Sequence, residues 1–436
     1  MGSILDHAEQ AWNGDGAGHP WRALNVLEEV APRTWFASSF ANMAAFDTDE
    51  GLVIVDPGAK NNARVKFEQL REAVDRPAHT IIYSHGHHDH VWGADLYQAD
   101  AKERGGRSVQ VVAHEAVPAR FERYARTEGY NGVINIRQFR GGAGTPSWPT
   151  DHIYPDTTYA QELTLTVGGE RFDLHHARGE TDDATWVYAA DRKVLATGDL
   201  FVWVVPNAGN PQKVQRFAGE WAAALRRMAA TGAELLLPGH GAPIVGAERI
   251  RQALEDTARY LETIEEQTLA AMNEGLRLDE VLDRVQPPED LAHRPYLQPV
   301  YDEPDFIVRN IWRLYGGWYD GLPSHLKPAP DQELATMVAS LAGSPEALAE
   351  RARALAADGN LRLACHLADW AWLAAPDHEG VRAIRGDLYQ WRAATERSTM
   401  AVGIFNTVAR EMGLSLGEGP TFSAQERSSR APKESE

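Results

Sequence analysis

A single cysteine, Cys365, serves a chain of 436 residues, which excludes an intrachain disulfide and any cysteine-only zinc site. No run of about eighteen apolar residues occurs, so the sequence offers no helical membrane span. Positive charge is scarce: 43 Lys and Arg stand against 62 Asp and Glu, a formal net charge of -19. Nucleic acid needs a basic footprint, so it is excluded as a partner. The acidic surface also gives no long-range pull on an anionic small molecule, so capture of one must be local. The first residues, Met1-Gly2-Ser3-Ile4-Leu5-Asp6-His7-Ala8-Glu9, carry acids and no apolar core. That is not the pattern of a signal peptide, and it points to the cytoplasm.

What the chain has instead is histidine in one place. Ser84-His85-Gly86-His87-His88-Asp89-His90 packs four imidazoles and a carboxylate into seven residues. The preceding Thr80-Ile81-Ile82-Tyr83 reads as a short buried strand, so the cluster sits where a strand gives way to a loop. Imidazole and carboxylate are zinc ligands alongside thiolate. The spacing allows His85 and His87 to face one metal while Asp89 and His90 face a second. His88, at the variable position, is left out of the ligand set.

Two metals need further ligands, and more strand ends supply them. Arg171-Phe172-Asp173-Leu174-His175-His176 leads to Gly179-Glu180-Thr181-Asp182-Asp183. Val194-Leu195-Ala196-Thr197-Gly198 leads to Asp199, and Leu235-Leu236-Leu237-Pro238-Gly239 leads to His240. Upstream, Leu52-Val53-Ile54-Val55 ends in Asp56-Pro57-Gly58. Each candidate is expected just past a strand, where an α/β sheet gathers its site.

From Asn42 to His240 these motifs resemble the metallo-β-lactamase superfamily. The resemblance implies an αββα sandwich in which His85, His87 and the residue at 180 hold one metal. It gives Asp89, His90 and His240 to the other, with Asp199 bridging and Asp89 and Asp199 as the catalytic carboxylates. Most members carry His where this chain has Glu180. The alkyl sulfatases of the superfamily usually carry Glu there, with a second carboxylate nineteen residues on, as Asp199 is here. His176 competes for the third position, but Glu180 holds the slot after Arg178-Gly179. The likeness extends to Ala41-Asn42-Met43 and to Tyr315-Gly316-Gly317-Trp318-Tyr319-Asp320-Gly321-Leu322-Pro323, similar to the start of that family's helical dimerisation domain. The family's carboxy-terminal sterol-carrier-like domain finds no room before Glu436, so a short form is expected.

The substrate end departs from the pattern. Alkyl sulfatases grip sulfate with two arginines after the bridging carboxylate. Here Asn207 matches, but the arginine pair is replaced by Lys213 and Arg216 as the nearby cations, and lysine cannot form a bidentate fork. Gly129 to Pro155 reads as a long irregular insertion, the kind that often forms a substrate loop. Tyr130, Asn131, Arg137 and Trp148 lie in it, and Tyr130 and Arg137 are candidate substrate contacts.

The expected organisation is an N-terminal extension over residues 1–30, read as an arm for dimer contacts, and a catalytic domain over 31–285. A helical dimerisation-type domain follows over 286–412, then a disordered tail over 413–436. Apolar residues at Ile250, Leu254, Ala258, Leu261, Ile264 and Leu269 predict a helix over 247–273, broken by Gly275. The aromatic stretch 289–325 reads as interface and interdomain core. Ser344-Pro345-Glu346 reads as a helix start, with helical segments over 347–357, 361–374 and 379–395. The breaks resemble those of tetratricopeptide hairpins, with too few repeats for a solenoid.

These readings imply a di-zinc hydrolase acting through a bridging hydroxide on an alkyl sulfate or related small-molecule ester, with manganese or iron as other metals. The protein would form a homodimer through its helical domain. Hydrolysis of a lactone, an amide or a phosphoester is the second reading. An iron-dependent redox protein is a third, opposed by the complete ligand set.

Overall fold

The computed structural model describes residues 3–15, 19–139 and 148–414. The tail expected to be disordered lies, from residue 415 onward, outside the described residues. Two compact units divide the chain. The first comprises residues 1–128, 148–275 and 280–315; the second comprises 129–147, 276–279 and 316–436.

The first unit is built on two sheets. β1 (Val26–Ala31), β2 (Thr34–Ser38), β3 (Met43–Thr48), β4 (Gly51–Val55), β5 (Ala78–Ile82), β6 (Gln110–His114) and β7 (Thr157–Tyr159) form one sheet in that spatial order. β1 to β4 are antiparallel neighbours, and β4 to β7 run parallel. The second sheet contains β8 (Glu162–Val167), β9 (Glu170–Ala177), β10 (Ala184–Ala189), β11 (Val194–Val202), β12 (Leu235–His240) and β13 (Ile244–Val245). Its order is β13-β12-β11-β10-β9-β8, antiparallel except for β11 and β12.

Strand alternation sorts the side chains. Ala44 and Phe46 of β3 and Val53 and Val55 of β4 share a core with Phe172, Leu174, Val187 and Val194 of the second sheet. The intervening Met43, Ala45, Leu52 and Ile54 pack with Leu70, Tyr97 and Phe121 from helices on the outer face. A strand buried on both faces reads as an unbroken apolar run, which is why β4 and β12 were visible in the sequence. Phe46 meets Phe172 edge-to-face at 5.3 Å across the core, worth about 0.5–1.5 kcal/mol beyond burial alone. Helices Ala218–Ala229 and Ala247–Asn273 lie against β9, β11 and β12 and complete the αββα sandwich. The long helix has the predicted limits, and Gly275 follows it with φ +81°.

The N-terminal segment is part of this sandwich. Ile4, in helix Ile4–Asn13, enters the inter-sheet core, Arg249 pairs with Glu9 at 2.5 Å, and β1 begins at Val26. The expected extension thus packs on its own chain through helix Ile4–Asn13, and β1 begins before residue 30.

The second unit is helical: Asp331–Ala342, Pro345–Ala357, Leu361–Ala374, Glu379–Thr395 and Thr399–Glu411. Ser344 Oγ accepts from the Ala347 N–H at 3.1 Å with Pro345 in the first turn, the helix start read from sequence. Leu348, Ala349, Ala371 and Val381 form one of its cores; Ala352, Ala364, Cys365, Ala368 and Leu388 form another.

The insertion reading fails at residue 128. Glu128–Phe139 is a helix, and from residue 129 it belongs to the second unit. Gly129 and Gly132 disguised it. Its partner is helix Thr399–Glu411, where Gly403 lies so close to the Gln138 carbonyl that a Cβ would stand 2.3 Å from that oxygen.

Candidate metal centre

Five segments of the first unit converge on one point. The β5 strand delivers His85, and the following turn delivers His87, Asp89 and His90. Glu180 comes from the turn after β9, Asp199 from β11, and His240 from the last position of β12. Asp199 thus lies inside its strand rather than past it, at a register irregularity beside Gly198. Gly198 has φ +51°, and a Cβ there would stand 2.5 Å from Ser84 Oγ. Glycine is required for β11 to pass this close to the histidine turn.

Donor atoms of His85, His87, Glu180 and Asp199 form one group, and those of Asp89, His90 and His240 form another. Within each group the atoms lie within 4.8 Å of one another. Asp199 faces both groups: Oδ2 is 3.7 Å from His85 Nε2 and 3.3 Å from His240 Nε2, and Oδ1 is 3.5 Å from His90 Nε2. Asp89 Oδ2 lies 3.6 Å from His90 Nε2 and 3.5 Å from His240 Nε2. Two donors held by one tetrahedral zinc stand about 3.4 Å apart. The separations match that spacing. His85 Nε2, His90 Nε2 and Asp199 Oδ1 are also buried with no hydrogen-bond partner. Buried polar atoms left unpaired are costly, and a cation between them removes the cost. The donor set therefore fits two metal ions.

The other ring nitrogens are tied down. Asp56 accepts from His90 Nδ1 at 2.8 Å, from the Ser84 N–H at 2.7 Å and from Ser84 Oγ at 2.6 Å. His85 Nδ1 is 2.9 Å from the same Ser84 hydroxyl, and His240 Nδ1 donates to the Phe40 carbonyl. Carboxylates and carbonyls only accept, so these bonds put the proton on Nδ1 and leave Nε2 free for a metal. Asp56 has φ +60°, rare for a residue with a Cβ, and sits at the Asp-Pro-Gly turn seen in the sequence. The turn was noted there, but its role in fixing two imidazoles was not.

Glu180 is buried, and its supports are distant in sequence. Asn207 Nδ2 donates to Glu180 Oε1, Arg216 Nη2 lies 3.3 Å from that oxygen, and Arg216 Nη1 donates to the Glu180 carbonyl. His176 is elsewhere: its Nδ1 donates to the Ala184 carbonyl at 3.0 Å, and its ring stacks on His114 with centroids 3.6 Å apart. It belongs to neither donor group. Behind the turn, buried Arg120 pairs with Asp183 at 2.5 Å and with Asp182, while Asp183 also accepts from the Gly86 N–H at 3.2 Å. This pair fastens the histidine turn to the Glu180 turn, and nothing in the local sequence announced Arg120.

The charges show what the site lacks. Burial disfavours ionised Glu180 and raises its pKa despite Arg216. Burial also disfavours charged His90 and His240, but Asp199 and neighbouring carboxylates outweigh it and raise both. Asp199 is held well below the usual range, because His240 and His90 outweigh its burial. Protons are thus drawn to the place that divalent cations would take.

The other predicted residues divide. Lys213 lies beside the centre with its Nζ 5.3 Å over the Trp148 ring, and it pairs with no carboxylate among the described residues. Burial, with Arg216 nearby, lowers its pKa to about 8. Trp148 stacks on His88 at 4.0 Å, and His88 Nε2 is 3.0 Å from His152 Nε2, so His88 serves the wall. Tyr130 and Arg137 sit on helix Glu128–Phe139 of the second unit, and Tyr130 is exposed. Trp21 stacks on His240 at 4.8 Å, with Tyr301 4.6 Å from Trp21. Sequence reading pointed to Trp148 but missed Trp21.

Comparison with known proteins follows the same division. Residues 39–240 match the metallo-β-lactamase superfamily, which defines the class of the sandwich and its site. Residues 277–414 match the alkyl sulfatase dimerisation family. The chain is therefore a metallo-β-lactamase domain joined to an alkyl sulfatase dimerisation domain. It is 28% identical over 360 residues to a linear primary-alkylsulfatase of Pseudomonas sp. (strain ATCC 19151), covering 78% of this chain and 66% of that one. It is 24% identical over 434 residues to an (R)-specific secondary-alkylsulfatase of Pseudomonas sp., covering 92% and 64%. The solved structure of the sec-alkylsulfatase Pisa1 from Pseudomonas sp. shares its fold with a TM-score of 0.78 at 24% identity, over 89% of this chain and 65% of that one. The chain thus spans about two thirds of the length of these relatives. No helix among its described residues is long and apolar enough to cross a membrane.

Proposed function

We propose that this protein is a di-zinc hydrolase of alkyl sulfates or closely related anionic esters. The carrying observation is the paired donor cluster with Asp199 facing both groups. His85, His87 and Glu180 would hold one ion, Asp89, His90 and His240 the other, and Asp199 both. Bound zinc would supply Lewis acidity and acidify a coordinated water, so that a hydroxide nucleophile would be available at neutral pH. Four imidazoles and three carboxylates also suit manganese or iron.

The chain's own residues do the rest. Asp56, Ser84 and the Phe40 carbonyl aim the imidazoles, and Asn207 and Arg216 aim Glu180. Lys213 is the cation left to hold an anionic ester group, since Arg216 is tied to Glu180. Trp21, stacked on His240, and Trp148, stacked on His88, supply apolar surface for an alkyl chain. The alkylsulfatase relatives support this substrate class.

One observation favours the second reading, a lactone, amide or phosphoester on the same metals: among the described residues no guanidinium fork beside the centre is left for an anion, Arg216 being tied to Glu180. A panel of sulfate, phosphate, lactone and β-lactam substrates separates the two. Sulfate release from a medium-chain alkyl sulfate is the expected result; turnover of only the other substrates would overturn it.

We further assign dimerisation to the helical unit, in keeping with its family match. Helix Asp331–Ala342 exposes Leu334, Met337 and Leu341 (48%, 61% and 82%) at one helical face, suited to a second copy. Leu341→Glu with Met337→Glu should give a monomer by light scattering. An unchanged dimer would place the interface elsewhere.

A further inference from the structure

The dimerisation-family match begins at residue 277, yet residues 280–315 belong to the compact unit that carries the metal centre. Within it, residues 298–313 clasp the loop bearing Asn207, Lys213 and Arg216. Fully buried Asp302 accepts from the Gly209 N–H at 2.6 Å and the Asn210 N–H at 3.3 Å through Oδ2, and from the Glu303 N–H at 2.7 Å through Oδ1. Buried Asn310 donates to the Arg216 carbonyl at 3.0 Å and accepts from the Arg216 N–H at 3.4 Å. Gln215 donates to the Asn310 carbonyl at 3.0 Å, and Arg313 donates to Gln215 Oε1 at 2.9 Å. The Val205 N–H donates to the Gln298 carbonyl at 3.2 Å. Gly209 lies so close to this segment that a Cβ would stand 2.3 Å from the Phe306 carbonyl carbon.

The loop so held has no regular secondary structure of its own between β11 and helix Ala218–Ala229. Its two contacts with Glu180, through Asn207 and Arg216, depend on where it is fixed. A carboxylate that gathers three backbone N–H groups in a buried setting is a strong fixed point. An asparagine that both donates to and accepts from one peptide admits a single register.

We propose that Asp302 and Asn310 are positioning residues of the metal centre, acting through the 205–217 loop to hold Asn207 and Arg216 on Glu180. The segment containing them works as part of the catalytic unit although its sequence belongs to the dimerisation family. The proposal rests on the reading of Glu180 as a ligand. It implies an asymmetric defect: the ion at the Glu180 end weakens, while the ion held by Asp89, His90 and His240 does not.

The test titrates zinc alone into metal-stripped full-length protein, for wild type, Asp302→Ala, Asn310→Ala and Asn310→Asp. Wild type should bind two ions. Both alanine variants should bind one ion with wild-type affinity and the other about tenfold or more weakly, the scale seen when a partner of a metal ligand is removed. Asn310→Asp keeps the acceptor and loses the donor, so it should fall between. Should Asp302→Ala not fold, Asn310→Ala carries the same measurement. Two ions bound with wild-type affinity in the alanine variants would overturn the proposal. Equal loss of both ions would also overturn it, because that is the mark of a residue needed only for the fold. Fewer than two ions in wild type would instead defeat the dinuclear reading itself, and the proposal with it.

Discussion

The two ends of the metal centre are built differently. At the His90–His240 end every support is a strand terminus or the turn beside it: Asp56 after β4, Ser84 after β5 and Phe40 after β2. At the Glu180 end Ser84 holds His85 in the same way, but Glu180 itself is supported by a loop and its clasp, with Asn207 and Arg216 held in turn by Asp302 and Asn310. The first end uses positions the sandwich fixes in forming its sheets. The second borrows its order from contacts made across the unit. The ends differ in what fixes them, local strand geometry at one and a long-range clasp at the other, and the clasped loop is the one that carries Lys213.

The largest expected effect comes from removing what the ends share. Asp199→Ala should lose both ions and all hydrolysis, because its carboxylate faces both groups. Glu180→Ala should lose one ion and activity with it. Glu180→His should keep two ions at altered rate, and His176→Ala should change nothing. Metal content after gel filtration distinguishes these outcomes; a Glu180→Ala protein with two tightly held ions would erase the contrast between the ends.

Next in size is the clamp that joins the turns. Asp183→Asn leaves buried Arg120 with only the partly exposed Asp182 to balance its charge, at a cost of up to about 3–5 kcal/mol. Urea unfolding of metal-free protein measures it. In wild type, burial opposes ionised Asp183, but Arg120 outweighs it and brings the pKa down to about 2 from an unfolded value of 3.8. A lowered carboxylate pKa stabilises the fold above 3.8, and that contribution fades as pH falls through 2. The loss should approach roughly 2.5 kcal/mol and be missing from Asp183→Asn.

How much of this was legible in the sequence follows the same contrast. Strand ends are local, so the His85–His90 turn, Asp199 and His240 stood out as apolar runs closed by ligand-type residues. Helix 247–273 and the Ser344 start were legible for the same reason, periodicity and a cap. The Glu180 supports were not: Asn207, Arg216 and Asp302 sit in segments without a period, and Asn310 lies on helix Pro304–Gly316, whose period does not say what it contacts. Only resemblance drew attention to Asn207. Helix Glu128–Phe139 was lost to its glycines, which weaken helical propensity without preventing tertiary packing from fixing the helix. Trp21 was overlooked because a wall residue leaves no spacing signal, and its stacking on His240 spans the whole sandwich sequence.

Two smaller effects sharpen the comparison. Asp56→Ala frees the second nitrogen of His90 directly and loosens His85 only through the Ser84 hydroxyl, so it should weaken metal at the His90 end about 10–100-fold and at the Glu180 end less. Equal weakening at both ends would deny the independence claimed for them. Lys213→Ala should raise KM for an alkyl sulfate roughly tenfold, ~1.4 kcal/mol, with metal content unchanged and a neutral lactone handled as before. If both substrates respond alike, Lys213 is an ordinary pocket cation, and the sulfate reading loses its local support.

The central claim is that seven side chains, His85, His87, Asp89, His90, Glu180, Asp199 and His240, hold two ions with Asp199 shared. Metal analysis of active protein purified without added metal tests it most directly. The account predicts two ions per chain, both lost together in Asp199→Ala. One tightly bound ion in fully active wild-type protein would contradict it.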